Sequence, residues 1–189
     1  MQIERLEMEG LVKLTPRQFK DERGVFWETW REGMLTREDA QPLHFVQENL
    51  SISKAGTLRG LHFQRAPHAQ GKLVRAASGK IWDVAVDVRA SSATRGHWYA
   101  CELSDANGCQ LWIPAGFAHG FLALTDHAVV EYRCTALYAP QAEGSIRWND
   151  ASVGVNWQPA GFVMPEGGPF LSEKDAVAPM LNASDWPFD

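Results

Sequence analysis

The chain has 189 residues, of which 45% are hydrophobic and 22% charged, which excludes a disordered protein and predicts one domain with a sizeable core. Its formal charge of -5 excludes nonspecific nucleic-acid binding through a basic face. The sequence contains no apolar run of membrane-spanning length and does not begin like a signal peptide, so we expect a cytoplasmic protein without a membrane partner.

The first predicted element is a short helix, because Thr36-Arg37-Glu38-Asp39 fits a helix cap, although Pro42 interrupts the apolar pattern that follows. Ile81 to Arg89 alternates apolar and polar residues, which predicts a half-buried strand with Asp83 and Asp87 on its polar face. Four more strands are predicted at 97–103, 109–113, 118–124 and 128–135.

The turns between these segments complete the prediction of the fold. Asn107-Gly108 is a strong hairpin signal between the second and third of these strands. Short strands without long helical segments between them favour an antiparallel sandwich, jelly roll or barrel, so the predicted class is all-β with a few short helices. After Trp157 the chain is rich in Gly and Pro, and we expect the segment 158–189 to wrap the barrel rather than form a second domain.

Two motifs carry residues suited to chemistry. In Leu58-Arg59-Gly60-Leu61-His62-Phe63-Gln64, an extended chain directs His62 towards a cavity while its neighbours pack. The spacing P-x-G-x-x-H, from Pro114 to His119, resembles the second motif of the cupin superfamily. Metal-binding cupins also need an H-x-H pair and a nearby Glu, which the first motif lacks. At most two His remain, so the sequence predicts no metal site.

Two histidines without a metal, with cations at Arg59 and Lys72, predict acid–base chemistry on an anionic substrate. The cations would lower the pKa of a nearby His, so an acidic partner is expected, with Asp83 and Asp175 as candidates. Tyr132 has the strand position of a phenol that faces the cavity, but a Tyr in the core or at an interface fits the same pattern.

These motifs, together with other segments in the same order, resemble the dTDP-4-dehydrorhamnose 3,5-epimerase family. The matching segments are 21–24, 45–49, 58–64, 70–74, 82–88, 111–121, 131–140, 143–146, 148–150 and 171–175. The resemblance implies a cupin-like jelly roll without metal or other cofactor, active as a homodimer. It also implies a dTDP-sugar substrate, dTDP-4-dehydro-6-deoxy-D-glucose, which would be inverted at C3 and C5 through an enolate to give dTDP-4-dehydro-L-rhamnose.

The resemblance also assigns catalytic roles. His62 matches the base, Asp175 its partner, Lys72 the cation near the C4 oxygen, and Tyr132 the proton donor. The remaining matches are substrate-binding positions: Arg23, Phe26, Glu28, Gln47, Glu48, Asn49, Arg59, His119, Tyr138, Glu143 and Lys174. In the family, an N-terminal segment, here within 1–50, reaches into the partner's site, so dimerisation is expected to complete the pocket of this single domain (1–189).

The stretch 158–170 looks longer than the family pattern and precedes Lys174 and Asp175, so it would reshape the wall of the site. Several alternatives remain open at this point. The family includes enzymes that invert only C3 or only C5, or that act on related nucleotide sugars. A metal-dependent cupin enzyme and a non-catalytic sugar-nucleotide binding module also use this kind of barrel.

Overall fold

The computed structural model of the chain describes residues 1–36, 42–181 and 188. Its strands are β1 (Gln2–Arg5), β2 (Val12–Thr15), β3 (Phe19–Asp21), β4 (Gly24–Phe26), β5 (Gln47–Ser53), β6 (Leu58–Gln64), β7 (Lys72–Ser78), β8 (Lys80–Asp87), β9 (Trp98–Ser104), β10 (Gln110–Ile113), β11 (Phe117–Ala123), β12 (Ala128–Cys134) and β13 (Glu143–Ser145). A 3-10 turn (Pro140–Ala142) and the helix α1 (Glu173–Ala176) complete the elements of this part. The all-β prediction is confirmed. The helix predicted from Thr36 falls on 37–41, outside the described residues.

Two antiparallel sheets form the body of the fold. One has six strands in the order β1-β2-β10-β7-β12-β5, and the other has five in the order β13-β6-β11-β8-β9. Val74 and Val130 of the first sheet share a buried cluster with Ala85 and Phe121 of the second, so a core lies between the sheets. This is the predicted jelly roll, in which residues that point inwards from either sheet face a common interior.

The five strands predicted between 81 and 135 are all present, with ends within two residues of those predicted. The burial of the first one differs from the prediction, because β8 is buried on both faces. Asp83 and Asp87 are 0% exposed, while Val84 and Val86 on the other face belong to a second buried cluster. The two aspartates lie on the face of β8 that points between the sheets, towards the central cluster, and Trp157 and other residues after β13 cover the opposite face.

The hairpin predicted at Asn107-Gly108 is wrong. The turn exists, with Gly108 at a positive φ of 62° and its N–H donating to the Ser104 carbonyl at 2.9 Å. However, β9 and β10 belong to different sheets, so the turn carries the chain from one sheet to the other. The local turn chemistry was predicted correctly, but the choice of pairing partner depends on distant strands.

A third cluster lies on the outer face of the six-stranded sheet, where Leu35 and Leu43 pack against Leu14, Leu73 and Trp112. The N-terminal segment therefore covers that face, and residues after β13 cover the outer face of the other sheet. No helix in the described ranges is long and apolar enough to cross a membrane.

Candidate active site

A cavity of about 380 Å³ opens between the two sheets. All four predicted catalytic residues line it, together with three predicted binding residues. Its lining consists of Ser51, Thr57, Leu58, Arg59, His62, Lys72, His119, Phe121, Tyr132, Phe170, Leu171, Ser172, Lys174 and Asp175. The two sheets thus bring together residues that are far apart in sequence.

His62 and Asp175 form a hydrogen-bonded pair at this cavity. The His62 Nε2 atom lies 2.5 Å from Asp175 Oδ1, and the Asp175 side chain is only 4% exposed. Ser172 caps α1 by accepting a hydrogen bond from the Asp175 backbone N–H at 3.1 Å, which fixes the carboxylate beside β6. Burial acts to raise the pKa of Asp175, but the hydrogen bond and charge of His62, together with hydrogen bonds from Ser172 and Gly60, outweigh it, so this pKa is lowered. Asp175 is therefore an ionised acceptor at neutral pH.

This pairing fixes the state of the imidazole. A carboxylate can only accept, so a neutral His62 carries its hydrogen on Nε2 and a lone pair on Nδ1. The His62 side chain is 28% exposed and lines the cavity, so a ligand can approach this lone pair. The arrangement is that of a general base oriented by an acid.

A second, deeper pair joins His119 to Asp83. His119 Nε2 lies 2.8 Å from Asp83 Oδ1, and both side chains are buried, at 8% and 0% exposure. Burial lowers the pKa of His119 despite the opposing effect of Asp83, and the charges of Lys72 and His62 lower it further. His119 is therefore neutral at pH 7. Each histidine has its own carboxylate, and no group of three or more metal-binding side chains occurs in the part of the chain that is described.

Lys72 projects into the same cavity from β7. Burial lowers the pKa of its ammonium group, although the nearby Cys134, Asp83 and Glu143 oppose this effect. Within the described ranges its ammonium group has no hydrogen-bond or ion-pair partner. A cation held in this way is free to bind an oxygen that gains negative charge on a ligand.

Tyr132 lies in the opposite wall from His62. Tyr132 belongs to β12 of the six-stranded sheet, whereas His62 belongs to β6 of the five-stranded sheet. Burial is the main cause that raises the pKa of the Tyr132 phenol, and Arg59 acts in the other direction. The phenol is therefore protonated at neutral pH and can donate a proton. A ligand between the sheets would have a base on one face and an acid on the other.

Four more predicted residues form a network beside the cavity. The Tyr138 hydroxyl donates to Glu143 at 3.0 Å, and Glu143 forms an ion pair with the cavity residue Lys174. Gln47 Oε1 accepts from the Tyr138 backbone N–H at 2.8 Å, and Gln47 Nε2 donates to Asn49 at 2.9 Å. Tyr138 is 54% exposed, so this network lies at the rim.

The last four predicted residues are not in the cavity of this chain. Glu48 pairs with Arg133 at 3.1 Å and faces outwards. Arg23 is 86% exposed and pairs with Asp21 at 2.6 Å, while Phe26 is 70% exposed. Glu28 pairs with Arg31 at 3.4 Å. One chain therefore brings most, but not all, of the predicted residues together.

Some cavity residues were missed by the sequence analysis. Ser51 could have been found, because it continues the inward alternation of Gln47 and Asn49 along β5. Ser172 could have been recognised as the cap of α1. Phe170 lies at the end of the Gly- and Pro-rich stretch, and its backbone pairs with Thr57, a contact that nothing local predicts.

Comparisons with known proteins agree with this geometry. The sequence model of the dTDP-4-dehydrorhamnose 3,5-epimerase family matches residues 5–183. The Salmonella typhimurium enzyme of that name is 48% identical over 169 residues, covering 89% of each chain. The crystal structure of the Elizabethkingia anophelis enzyme has a TM-score of 0.88 at 40% identity and covers 98% of this chain and 99% of that one. The Legionella pneumophila 3,5-epimerase in complex with dTDP-4-keto-L-rhamnose has a TM-score of 0.83 at 39% identity, with 97% and 94% covered.

Proposed function

The chain belongs to the dTDP-4-dehydrorhamnose 3,5-epimerase family, and from this premise we propose how its cavity epimerises dTDP-4-dehydro-6-deoxy-D-glucose. His62 removes a proton beside the C4 ketone, and Tyr132 returns one to the same carbon from the opposite face. The observation that carries the proposal is that these two side chains line one cavity from opposing sheets. The enzyme is an isomerase of dTDP-rhamnose biosynthesis.

The C4 ketone of the substrate explains why a base and an acid are enough to invert the neighbouring carbons. A hydrogen on C3 or C5 is acidic because the electron pair of its C–H bond can move onto the C4 oxygen as an enolate. His62 Nδ1 takes the proton and becomes an imidazolium, which the Asp175 carboxylate stabilises. When the enolate collapses, its carbon takes the phenol proton of Tyr132, and the configuration is inverted. Exchange with solvent then restores a neutral His62 and a protonated Tyr132.

Lys72 supplies the stabilising charge at the C4 oxygen. Its ammonium has no protein partner in the described part of the chain and is held within a low-dielectric cavity, where an electrostatic contact has most effect. The enolate oxygen carries more negative charge than the ketone oxygen, so the contact strengthens as the proton leaves. It therefore favours the transition state over the bound substrate.

Replacing Lys72 with methionine is expected to separate activity from stability. The variant keeps most of the length of the side chain but loses the charge, so kcat should fall about 10²- to 10³-fold, as for loss of an oxyanion donor. Burial lowers the pKa of Lys72, so the unfolded chain binds this proton more tightly and the charged form destabilises the fold at neutral pH. The melting temperature should therefore stay equal or rise. An unchanged kcat would contradict the proposed role.

The rest of the substrate is expected to bind towards the rim. Arg59 presents a guanidinium that can bind two oxygens of the diphosphate at once. Tyr138, with Gln47 and Asn49, offers an exposed aromatic ring and amide groups suited to the thymine base. No nucleic-acid partner is proposed, since the chain is acidic. We place the enzyme in the cytoplasm, because a charged nucleotide sugar does not cross membranes unaided.

We further propose a homodimer in which the N-terminal segment within 1–50 completes the partner's cavity. Its hairpin carries Arg23 on an exposed turn and the exposed aromatic Phe26, neither of which has a role in its own chain's cavity. On β5, Leu50 and Ile52 are each 57% exposed and offer an apolar surface for association. The body of the domain, with 158–181 and Phe188 packed against it, stays within one chain.

The dimer has a direct test. Sedimentation should give a dimer for the native chain, and Arg23→Ala should weaken substrate binding without changing the assembly. Mixing Arg23→Ala with His62→Ala should restore part of the activity, since mixed dimers contain one intact site. The absence of such recovery from proteins that exchange subunits would overturn the shared site.

The proposed function is tested by NMR in D₂O. Native protein given dTDP-4-dehydro-6-deoxy-D-glucose should incorporate deuterium at each carbon that it inverts. The product then shows whether C3, C5 or both are inverted, which also decides between a 3,5-epimerase and a monofunctional one. No exchange with folded protein would end the proposal.

A further inference from the structure

The cavity contains a hydroxyl group that the proposed mechanism leaves unused. Two buried side-chain oxygens in the described ranges have no hydrogen-bond partner, Ser51 Oγ and Asp83 Oδ2. Asp83 already holds His119 through its other oxygen. Ser51, by contrast, makes no side-chain hydrogen bond and lines the cavity from β5. A buried hydroxyl without a hydrogen-bond partner destabilises a fold. A ligand that forms a hydrogen bond with Ser51 Oγ would explain why this position is a serine.

The other inward residues of β5 already have hydrogen-bond partners. The strand alternates between exposed and inward residues, and the inward ones are Gln47, Asn49, Ser51 and Ser53. Gln47 is engaged with Tyr138, Asn49 donates to Cys134 Sγ at 3.7 Å, and Ser53 accepts from Arg59 Nε at 3.2 Å. Among the described residues, Ser51 is thus the one inward position of this strand whose side chain has no hydrogen-bond partner.

Ser53 also holds a cation on this wall of the cavity. Its Oγ accepts a hydrogen bond from Arg59 Nε, so the guanidinium is held two residues along β5 from Ser51, on the same inward face, and both residues line the cavity. In the described part of the chain, the two terminal nitrogens of Arg59 have no hydrogen-bond or ion-pair partner. A free hydroxyl next to a free guanidinium edge is a pair of donors suited to an oxyanion with several oxygens.

We propose that Ser51 Oγ donates a hydrogen bond to a diphosphate oxygen of the bound nucleotide sugar, beside Arg59. This inference rests on the proposed function, since it takes the substrate to be a nucleoside diphosphate sugar. His62, Lys72 and Tyr132 act on the sugar ring, so the diphosphate is the part of the substrate that still needs donors. Ser51 is then a substrate-binding residue that selects for the diphosphate.

The experiment compares Ser51→Ala with the native protein by calorimetry, using dTDP and thymidine as ligands. Loss of a hydrogen bond to a charged group should weaken dTDP binding roughly 10- to 100-fold. Thymidine binding should not change, and the melting temperature without ligand should be equal or higher because an unpaired buried hydroxyl is removed. Ser78→Ala, at an exposed position at the end of β7, is the matched control and should change neither property.

Other results would overturn the inference. Equal dTDP affinity, or equal losses for dTDP and thymidine, would show that Ser51 does not contact the diphosphate. A loss seen only with a dTDP-sugar and not with dTDP would place the contact on the sugar. A lower melting temperature with unchanged affinity would make the hydroxyl structural. Binding is measured apart from proton exchange, so failure of the D₂O experiment with this binding pattern intact would remove the reaction and leave the diphosphate contact standing.

Discussion

Replacing His62 with alanine is expected to abolish both deuterium incorporation and inversion. The imidazole is the base of the proposed reaction, and a positioned general base contributes about 10²- to 10⁴-fold to the rate. Asp175→Asn should cause a smaller loss, because the imidazole remains but loses the carboxylate that stabilises its charged form. His97→Ala removes an exposed histidine outside the cavity and serves as the control.

The His62→Ala variant is also expected to be less stable in acid. His62 lowers the pKa of Asp175, so the ionised carboxylate stabilises the native fold above its unfolded pKa, and this contribution is lost as the pH falls through the lowered value. Without His62, its lowering effect is lost, so the pKa of Asp175 should be higher than in the native protein and the acid unfolding midpoint should move to higher pH. Full deuterium exchange by a folded His62→Ala protein would contradict the assignment of the base.

Tyr132→Phe is expected to uncouple proton removal from inversion. The change deletes only the hydroxyl, so the wall of the cavity keeps its shape while the acid on that face is lost. Inversion should slow by about 10²- to 10⁴-fold. His62 can still remove a proton and return a deuteron to the same face, so recovered substrate should carry deuterium with its original configuration. The same NMR spectra report both quantities.

Tyr99→Phe is the matched control for this variant. Tyr99 lies on β9, is partly buried against the central cluster and does not line the cavity. It should retain normal exchange and inversion. If Tyr132→Phe instead lost exchange and inversion equally, the phenol would be needed for proton removal, and the two-face arrangement would be wrong.

Local pattern was enough to predict the five strands between residues 81 and 135 but not their partners. Alternation located β8, yet its two aspartates lie on the face that points between the sheets, and its apolar face is buried by distant residues that cover the outside of the sheet. Likewise, Asn107-Gly108 predicted a turn correctly, but its flanking strands pair in different sheets. Pairing and burial depend on long-range contacts, which periodicity does not encode.

In the candidate site, too, local sequence identified some residues, whereas others needed the family resemblance or the fold. His62 and His119 were recognisable from their motifs, and Lys72 from its charge. Asp175 is 113 positions from His62. The sequence offered it as one of two candidate partners, and only the family resemblance chose between them before the fold did so. Ser51 was missed because alternation along β5 shows only that its side chain points inwards. The lack of a hydrogen-bond partner for its Oγ among the described residues is seen only in the folded structure.

The central claim is that one sugar ring lies between a base and an acid on opposing walls. A crystal structure of the protein with dTDP-4-keto-L-rhamnose bound tests it most directly. The account predicts that His62 and Tyr132 contact opposite faces of the ring, with the C4 oxygen within hydrogen-bond distance of Lys72 Nζ. A ring bound with both side chains on the same face, or with its ketone directed away from Lys72, would contradict it.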